Sequence, residues 1–377
     1  MKIIIISHVP LTGTYGAATS LRNHINLLLK HPEFEFNVIE QLGYHHGPKV
    51  HVSYKISRVS WLLPITGNYD GYFGGYLREI YYYVRRKIAF LIFNNLCKRL
   101  IALRPDVIHL NSLVLADVAC WLRSDKRFDQ VRIIASVREV LSSDLLHSEV
   151  ESIRFIDNYI CIDNATKDSL LQHTQVNPSD VVIQQNPFIV PDVSWSRDHE
   201  FKNRFKCIFA IAGAITEDKG VLDVLRAFLS VNLKDSALLI VGGAKGNYSK
   251  EVKKICRTSS NVFYLGEIPD LCASGFFNTI DVVIRGDRSF RTGRTVYEAI
   301  YSGSIAILPC ISDEYLNDDE ISLVLNNILF YLPNDLKSLE RAMDSSRSLV
   351  LSGKERVSYV DARCDYYIEA YRDLYSA

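Results

Sequence analysis

The chain has 377 residues, 48% of them hydrophobic and 23% charged, with Lys and Arg balancing Asp and Glu at 43 each. That length exceeds one ordinary hydrophobic core, so two domains are expected, and zero net charge supplies no bulk attraction to nucleic acid. The 8 Cys are scattered without a C-x-x-C pair, as in a cytoplasmic protein with reduced thiols, and no stretch reaches the roughly 18 apolar residues of a membrane span. The opening M-K-I-I-I-I-S lacks the h-region length and cleavage site of a signal peptide, and reads as a first strand, Lys2 to Ser7. A Gly-containing loop from His8 to Ala17 leads into a helix from Ala18 to Lys30, with Leu21, Ile25 and Leu28 at helical spacing. Strand, loop, helix is the opening unit of a doubly wound sheet. Phe36 to Glu40 is the next strand, and Tyr44 to Tyr76 is irregular and rich in Gly and Tyr.

Leu77 to Leu103 forms a long helix that ends before Arg104-Pro105. Its Tyr81, Tyr82, Tyr83, Arg85, Arg86 and Lys87 could make a peripheral membrane contact, but the commoner reading of such a stretch is an ordinary amphipathic helix covering the sheet, with Arg and Lys in solvent. Strands follow at Asp106 to Leu110, Val131 to Val137, Asn158 to Ile162 and Val181 to Gln184, with a helix at Leu113 to Leu122. Asn186-Pro187, with Pro191, marks a hinge. The pattern then restarts: strand Cys207 to Ala212, loop Gly213 to Lys219, helix Val221 to Leu229 and strand Ala237 to Val241. Helix Lys250 to Thr258, strand Val262 to Leu265 and helix Leu271 to Asn278 follow. A last helix from Val357 to Tyr375 is placed to brace the first half. Two successive α/β halves with a cleft between them are expected.

The stretch from Asp281 to Pro309 carries the chemistry. Val282 to Ile284 is a buried parallel strand by composition. An Arg-rich loop with Gly286 and Gly293 follows, then a helix from Thr295 to Tyr301 stopped by Gly303, then the strand Ser304 to Pro309. A loop at the carboxyl end of a parallel strand, entering a helix N-terminus, is where open α/β sheets bind ligands. Its backbone N–H groups and helix dipole favour phosphate.

Three segments give a family resemblance: G-A-I-T-E-D-K-G-V-L-D-V-L-R-A-F (Gly213 to Phe228), V-F-Y-L-G-E-I (Val262 to Ile268) and G-R-T-V-Y-E-A-I-Y-S-G (Gly293 to Gly303). In order and spacing they resemble the GT-B glycosyltransferases of family 4, which are retaining nucleotide-sugar transferases. The resemblance implies two Rossmann-like doubly wound domains facing a central cleft. Residues 1–185 would bind the acceptor, 186–356 the nucleotide sugar, and 357–377 would cross back to the first domain.

The same resemblance assigns roles. Glu298 matches the Glu that hydrogen-bonds the ribose hydroxyls, a task suited to a carboxylate facing a cis-diol; read from the helix alone it is a solvated Glu. Lys219 matches the diphosphate lysine. Gly16 matches a glycine of the first loop that lets backbone approach the diphosphate, and reads otherwise as a turn glycine. Gly213, Gly266, Ile268, Gly293 and Thr295 fall in the donor-binding segments, with Gly266 and Ile268 in the base-contacting loop. Two positions depart from the pattern: Phe290 stands where a second Glu contacts the donor sugar, and Ala214 where an Arg assists the diphosphate. Arg294 is the expected substitute cation, with Arg285, Arg288 and Arg291 nearby, and Arg291 is a candidate sugar contact. Arg138-Glu139 follows the strand where many members carry a His, and is either a donor or acceptor contact or a structural ion pair. His8, His109 and Asn111 read as structural.

No metal is expected: Asp318-Asp319-Glu320 lacks spaced ligands, and metal-independent chemistry is typical of the fold. A P-loop and a G-x-G-x-x-G after the first strand are both absent from the sequence. The resemblance implies transfer of a sugar from a nucleoside-diphosphate donor to a glycan or lipid-linked acceptor, with Lys219 and Arg294 stabilising the leaving diphosphate. A sugar-nucleotide epimerase on the same fold and a non-catalytic sugar-nucleotide-binding subunit are the alternatives.

Overall fold

The computed structural model describes residues 1–11, 16–41, 56–59, 76–138, 140–141, 147–187, 193–243, 246–268, 270–287, 293–310, 325–353 and 362–376. It divides into two compact units, Met1–Pro187 with Cys364–Ala377, and Phe188–Arg363.

Unit 1 holds a seven-stranded parallel sheet of β1 (Lys2–Ser7), β2 (Glu35–Gln41), β3 (Ile56–Val59), β4 (Val107–Leu110), β5 (Arg132–Val137), β6 (Asn158–Cys161) and β7 (Val181–Ile183), in the order β3-β2-β1-β4-β5-β6-β7. Ile3 to Ile6 explain why a continuous apolar run makes this strand: all four are fully buried, because both faces of the sheet are covered. Ile3 and Ile5 pack with α1 (Gly16–Leu28), whereas Ile4 and Ile6 face a core shared with α2 (Tyr76–Leu103) and α3 (Ala116–Arg123). Two helices absent from the sequence reading complete this part, α4 (His147–Ile153) and α5 (Asn164–His173). The second starts on a capping box between Asp163 and Thr166, a signal present in the sequence.

Unit 2 holds a six-stranded parallel sheet of β8 (Cys207–Ala212), β9 (Ser236–Val241), β10 (Val262–Gly266), β11 (Val282–Ile284), β12 (Ile305–Pro309) and β13 (Ile328–Tyr331), ordered β10-β9-β8-β11-β12-β13. Among the described residues its α-helices are α6 (Asp198–Lys202), α7 (Val221–Val231), α8 (Gly246–Thr258), α9 (Phe276–Thr279), α10 (Arg294–Tyr301) and α11 (Leu336–Leu351). Apolar residues of α7 and α11 cover one sheet face, and those of α10 the other. As expected, α10 stops at Gly303, whose φ of 89° lets Ser304 N–H reach Ala299 O at 2.9 Å and Gly303 N–H reach Ile300 O at 2.9 Å.

One helix is a correction. Leu271 to Asn278 does not run as a helix; only α9 does, because Gly275 sits at φ 74°, where an added Cβ would meet Val193 O at 2.2 Å. A second difference is the short strand β3, which lies inside the expected irregular stretch and pairs with β2 from Val38↔Ile56 onward. The last helix, α12 (Ala362–Ser376), belongs to unit 1, where Tyr367, Ile368, Tyr371, Leu374 and Tyr375 join the core of β1 and α1.

Candidate functional site

In unit 2 the chain starts at β8, steps outward through β9 and β10, and returns to lay β11 on the other side of β8. The carboxyl ends of β8 and β11 are therefore the topological switch point, the place where such sheets bind ligands. Backbone contacts weld the loops there: Gly213 N–H donates to Val241 O and Gly242 N–H to Gly266 O, each at 2.9 Å. The loops of β8 and β11 touch backbone to backbone. A Cβ on Gly220 would lie 1.8 Å from Gly286 O, and Gly220 itself adopts φ 58°, so no other residue fits without moving the chain.

This contact sets Lys219 beside the β11 loop. Lys219 Nζ donates to Asp287 Oδ1 at 2.8 Å, and Arg285 Nε lies 2.6 Å from Asp287 Oδ2, a close but off-line ion pair. Asp287 is 4% exposed. Gly213, Ala214, Lys219, Arg285 and Asp287 line one small pocket at the strand ends. Arg285 Nη1 also reaches the N-terminus of α10, lying 3.0 Å from where a Cβ on Gly293 would be. The helix thus begins against a guanidinium.

One turn into α10 sits Glu298, fully buried. Arg294 Nη1 is 3.3 Å from its Oε1, yet neither carboxylate oxygen has a hydrogen-bond partner among the described residues, and neither does Arg294 Nη1. Burial pushes the Glu298 carboxyl up to about 7 against the pull of Arg294, with Asp270 adding to the rise. Reading Glu298 as a solvated helix residue is therefore wrong. A buried carboxylate with open acceptors is costly, and that cost is removed when hydroxyl donors arrive. Burial, and then Glu298, push up the thiol of Cys272, just beyond the loop of Gly266 and Ile268 that follows β10. Thr295 is half-buried in the first turn of α10, and Ile268 packs at the edge of the core containing Val296 and Ile300.

Unit 1 has its own switch point, between β1 and β4. Arg138, just past β5, donates from Nη1 to Asn186 Oδ1 at 2.7 Å, from Nε to Asn111 O at 3.2 Å and from Nη2 to Asn111 Oδ1 at 3.2 Å. Its fork ties the ends of β4, β5 and the segment after β7. His8 lies beside it with Nδ1 buried and unpartnered among the described residues, its imidazole held down to about 4 by burial and then by Arg138. His109 is bonded at both ring nitrogens and is structural in that sense. Gly16 opens α1. Glu139, Phe290, Arg291 and the run from Asp318 to Glu320 lie outside the described residues.

The structure thus brings Lys219, Gly213, Gly293, Arg294, Thr295, Glu298, Gly266 and Ile268 to the strand ends of unit 2, and sets Arg138 and Gly16 in unit 1. Asp287 was missed from sequence. Its signal was an acid two residues from Arg285 at the end of a buried strand, but only the folded loops show that it also meets Lys219.

No family model matches the chain, and no curated protein matches it. Solved structures do. HepE of Anabaena, in complex with UDP, superposes with a TM-score of 0.68 over 100% of both chains at 13% identity. A sucrose-phosphate synthase from Thermosynechococcus elongatus gives 0.69 at 14% identity, covering 100% of this chain and 99% of that one. The lipopolysaccharide outer core galactosyltransferase WaaB, in its apo form, gives 0.61 at 15% identity with 100% and 99% coverage. The fold is therefore that of the GT-B glycosyltransferases.

Proposed function

We propose that this chain is a retaining glycosyltransferase of the family 4 type, taking a nucleoside-diphosphate sugar as donor and a hydroxyl of a glycan or lipid-linked glycan as acceptor. One observation carries the reading: Glu298 is buried with its acceptors open, one turn into a helix whose N-terminus is met by Arg285, a residue that lines a pocket together with Lys219. A carboxylate that needs two donors fits the ribose cis-diol, and the cations fit the diphosphate. HepE, solved with UDP and with UDP-glucose, supports this ligand class.

In this reading Lys219, Arg294 and the start of α10 stabilise negative charge on the departing diphosphate, while the acceptor proton passes to the leaving phosphate oxygen on the same face of the sugar. No side-chain nucleophile is required. Arg138, braced by Asn111 and Asn186, holds the strand ends of unit 1, and Glu139 and Arg291 are proposed sugar or acceptor contacts. No metal is assigned a role.

The acceptor is placed in surface-polysaccharide assembly, with the enzyme in the cytoplasm and in peripheral contact with the membrane. Support for that contact comes from α2, where Tyr83, Val84, Lys87 and Ile88 are exposed together and Lys87 Nζ lies 5.3 Å from the Tyr83 ring. Among the described residues no helix is long and apolar enough to cross a membrane.

The test is thermal stabilisation by UDP-, GDP-, ADP- and dTDP-sugars, repeated with Lys219→Ala and Glu298→Ala. One base should raise the melting temperature by several degrees in the native chain and in neither variant. No shift with any donor would refute the reading. Donor turnover without an acceptor would indicate an epimerase instead.

A further inference from the structure

The proposed diphosphate carries about two negative charges as a sugar ester, and a lone lysine is a poor match for it. The pocket at the end of β8 and β11 offers a second cation from its opposite wall. Lys219 enters from the β8 loop and Arg285 from the end of β11, and Asp287 stands between them with one carboxylate oxygen on each. Asp287 is sunk to 4% exposure, while the Lys219 side chain remains 30% exposed. The carboxylate therefore lies deeper than the Lys219 side chain, with Arg285, 12% exposed, buried beside it. Lys219 spends one N–H on Asp287, whereas Arg285 is ion-paired to it at its Nε edge without an aligned hydrogen bond, and its guanidinium still presents two Nη groups as a fork. Nη1 of that fork is already beside Gly293, at the start of α10.

Resting on the nucleotide-sugar reading, we infer that Arg285 is a second diphosphate ligand of this pocket and that Asp287 is the positioning residue that aims Arg285 and Lys219 at it. The arrangement accounts for three features together. Gly286 must be glycine because Gly220 O and Lys219 O would each lie 2.7 Å from its Cβ, and this contact holds the two cation-bearing loops at one spacing. Tyr331 OH donates to Arg285 O at 2.9 Å, fixing the backbone of the arginine. Ala214, exposed on the same pocket, leaves the facing wall open for the fork.

A masking role for Asp287 is the rival, in which it neutralises the cations and a ligand must displace it. The two differ in sign. A positioning carboxylate makes Asp287→Asn bind diphosphate more weakly, and a masking one makes it bind more tightly.

The experiment compares affinities of the 5′-diphosphates of uridine, guanosine and adenosine by calorimetry with those of the parent nucleosides by ligand-detected NMR. Proteins are the native chain, Arg285→Gln, Arg285→Ala, Asp287→Asn, and Arg285→Ala combined with Ala214→Arg. The native chain should prefer one diphosphate over its nucleoside. Arg285→Gln and Arg285→Ala should lower that preference roughly 10- to 100-fold while leaving nucleoside binding within about threefold, which also reports an intact fold. Ala214→Arg should restore much of it by returning a guanidinium to the pocket. Asp287→Asn should bind the diphosphate more weakly. An unchanged preference in both Arg285 variants would overturn the inference and leave the nucleotide reading standing. Tighter binding by Asp287→Asn would overturn the positioning role. A native chain that binds neither nucleoside nor diphosphate would overturn the nucleotide reading and this inference with it.

Discussion

His24 and His109 in unit 1 are buried almost as completely as Glu298 in unit 2, but their polar atoms are all bonded. His24 Nδ1 meets Tyr367 OH at 2.7 Å and His24 Nε2 meets Tyr375 OH at 2.9 Å. His109 Nδ1 meets the same Tyr375 hydroxyl at 2.8 Å, and His109 Nε2 meets Ser136 Oγ at 2.9 Å. A neutral imidazole donates from one nitrogen and accepts at the other, so Tyr375 must donate to one histidine and accept from its neighbour. The chain of bonds from Tyr367 to Ser136 then runs in a single direction with every member satisfied, which makes it a device for seating α12. Around Glu298 the pattern is reversed: a buried carboxylate and a buried guanidinium are adjacent, and their bonding capacity is unfilled. Satisfaction marks the structural cluster, and its lack around Glu298 is what the proposed nucleotide would make good.

The largest effect should come from breaking the satisfied cluster. Tyr375→Phe leaves one nitrogen on each histidine without its partner, and is expected to cost about 2–5 kcal/mol in urea unfolding while nucleotide binding persists. Glu298→Gln should do the opposite. Above pH 7 it removes the ionisation penalty, raising the stability of the free protein by about 2–3 kcal/mol while abolishing stabilisation by nucleotide.

The two clusters also titrate with opposite sign. Burial raises the folded Glu298 carboxyl to about 7 from 4.5, so its contribution favours folding at low pH and is lost as pH rises between those values. Burial, and then Arg138, lower the folded His109 imidazole to about 3 from 6.5, so its contribution is present at neutral pH and lost as pH falls through that range. Each slope is at most about 1.4 kcal/mol per pH unit. Trp195 fluorescence, in a chain with Trp61 and Trp121 replaced by Phe, should show unit 2 weakening from pH 5 to 7. Adding Glu298→Gln should remove that slope, and a slope that survived would break the comparison. The smallest change is expected at Arg347→Ala, whose ion pair with Asp235 is partly solvated at side-chain exposures of 25% and 32% and should contribute no more than about 1 kcal/mol.

Much of this was legible in the chain. Parallel strands buried on both faces read as unbroken apolar runs and the helix stop at Gly303 follows from a local signal, whereas Lys219 and Arg294 are pointed to by the family resemblance of their segments. Burial of Glu298 was not legible, since a glutamate inside a helical pattern looks solvated until the folded unit covers that face of the helix. Asp287 is two residues from Arg285, but its bond to Lys219 spans 68 positions and exists only because two glycines let the loops touch. The bond from His24 to Tyr375 spans 351 positions, beyond any local pattern. The strand β3 is four residues long, too short for its alternation to stand out from the surrounding Gly and Tyr.

The most direct test of the open carboxylate is a count of protons. Titrate the favoured nucleoside diphosphate into the native chain and Glu298→Gln near pH 6, in two buffers of different ionisation enthalpy. At that pH Glu298 should be mostly protonated in the free protein and ionised once ribose hydroxyls bond to it. The native chain should then release most of one proton on binding, and Glu298→Gln should bind far more weakly and release none through this group. Tight binding by the native chain with the same proton count as Glu298→Gln would contradict the assignment of Glu298 to the ligand.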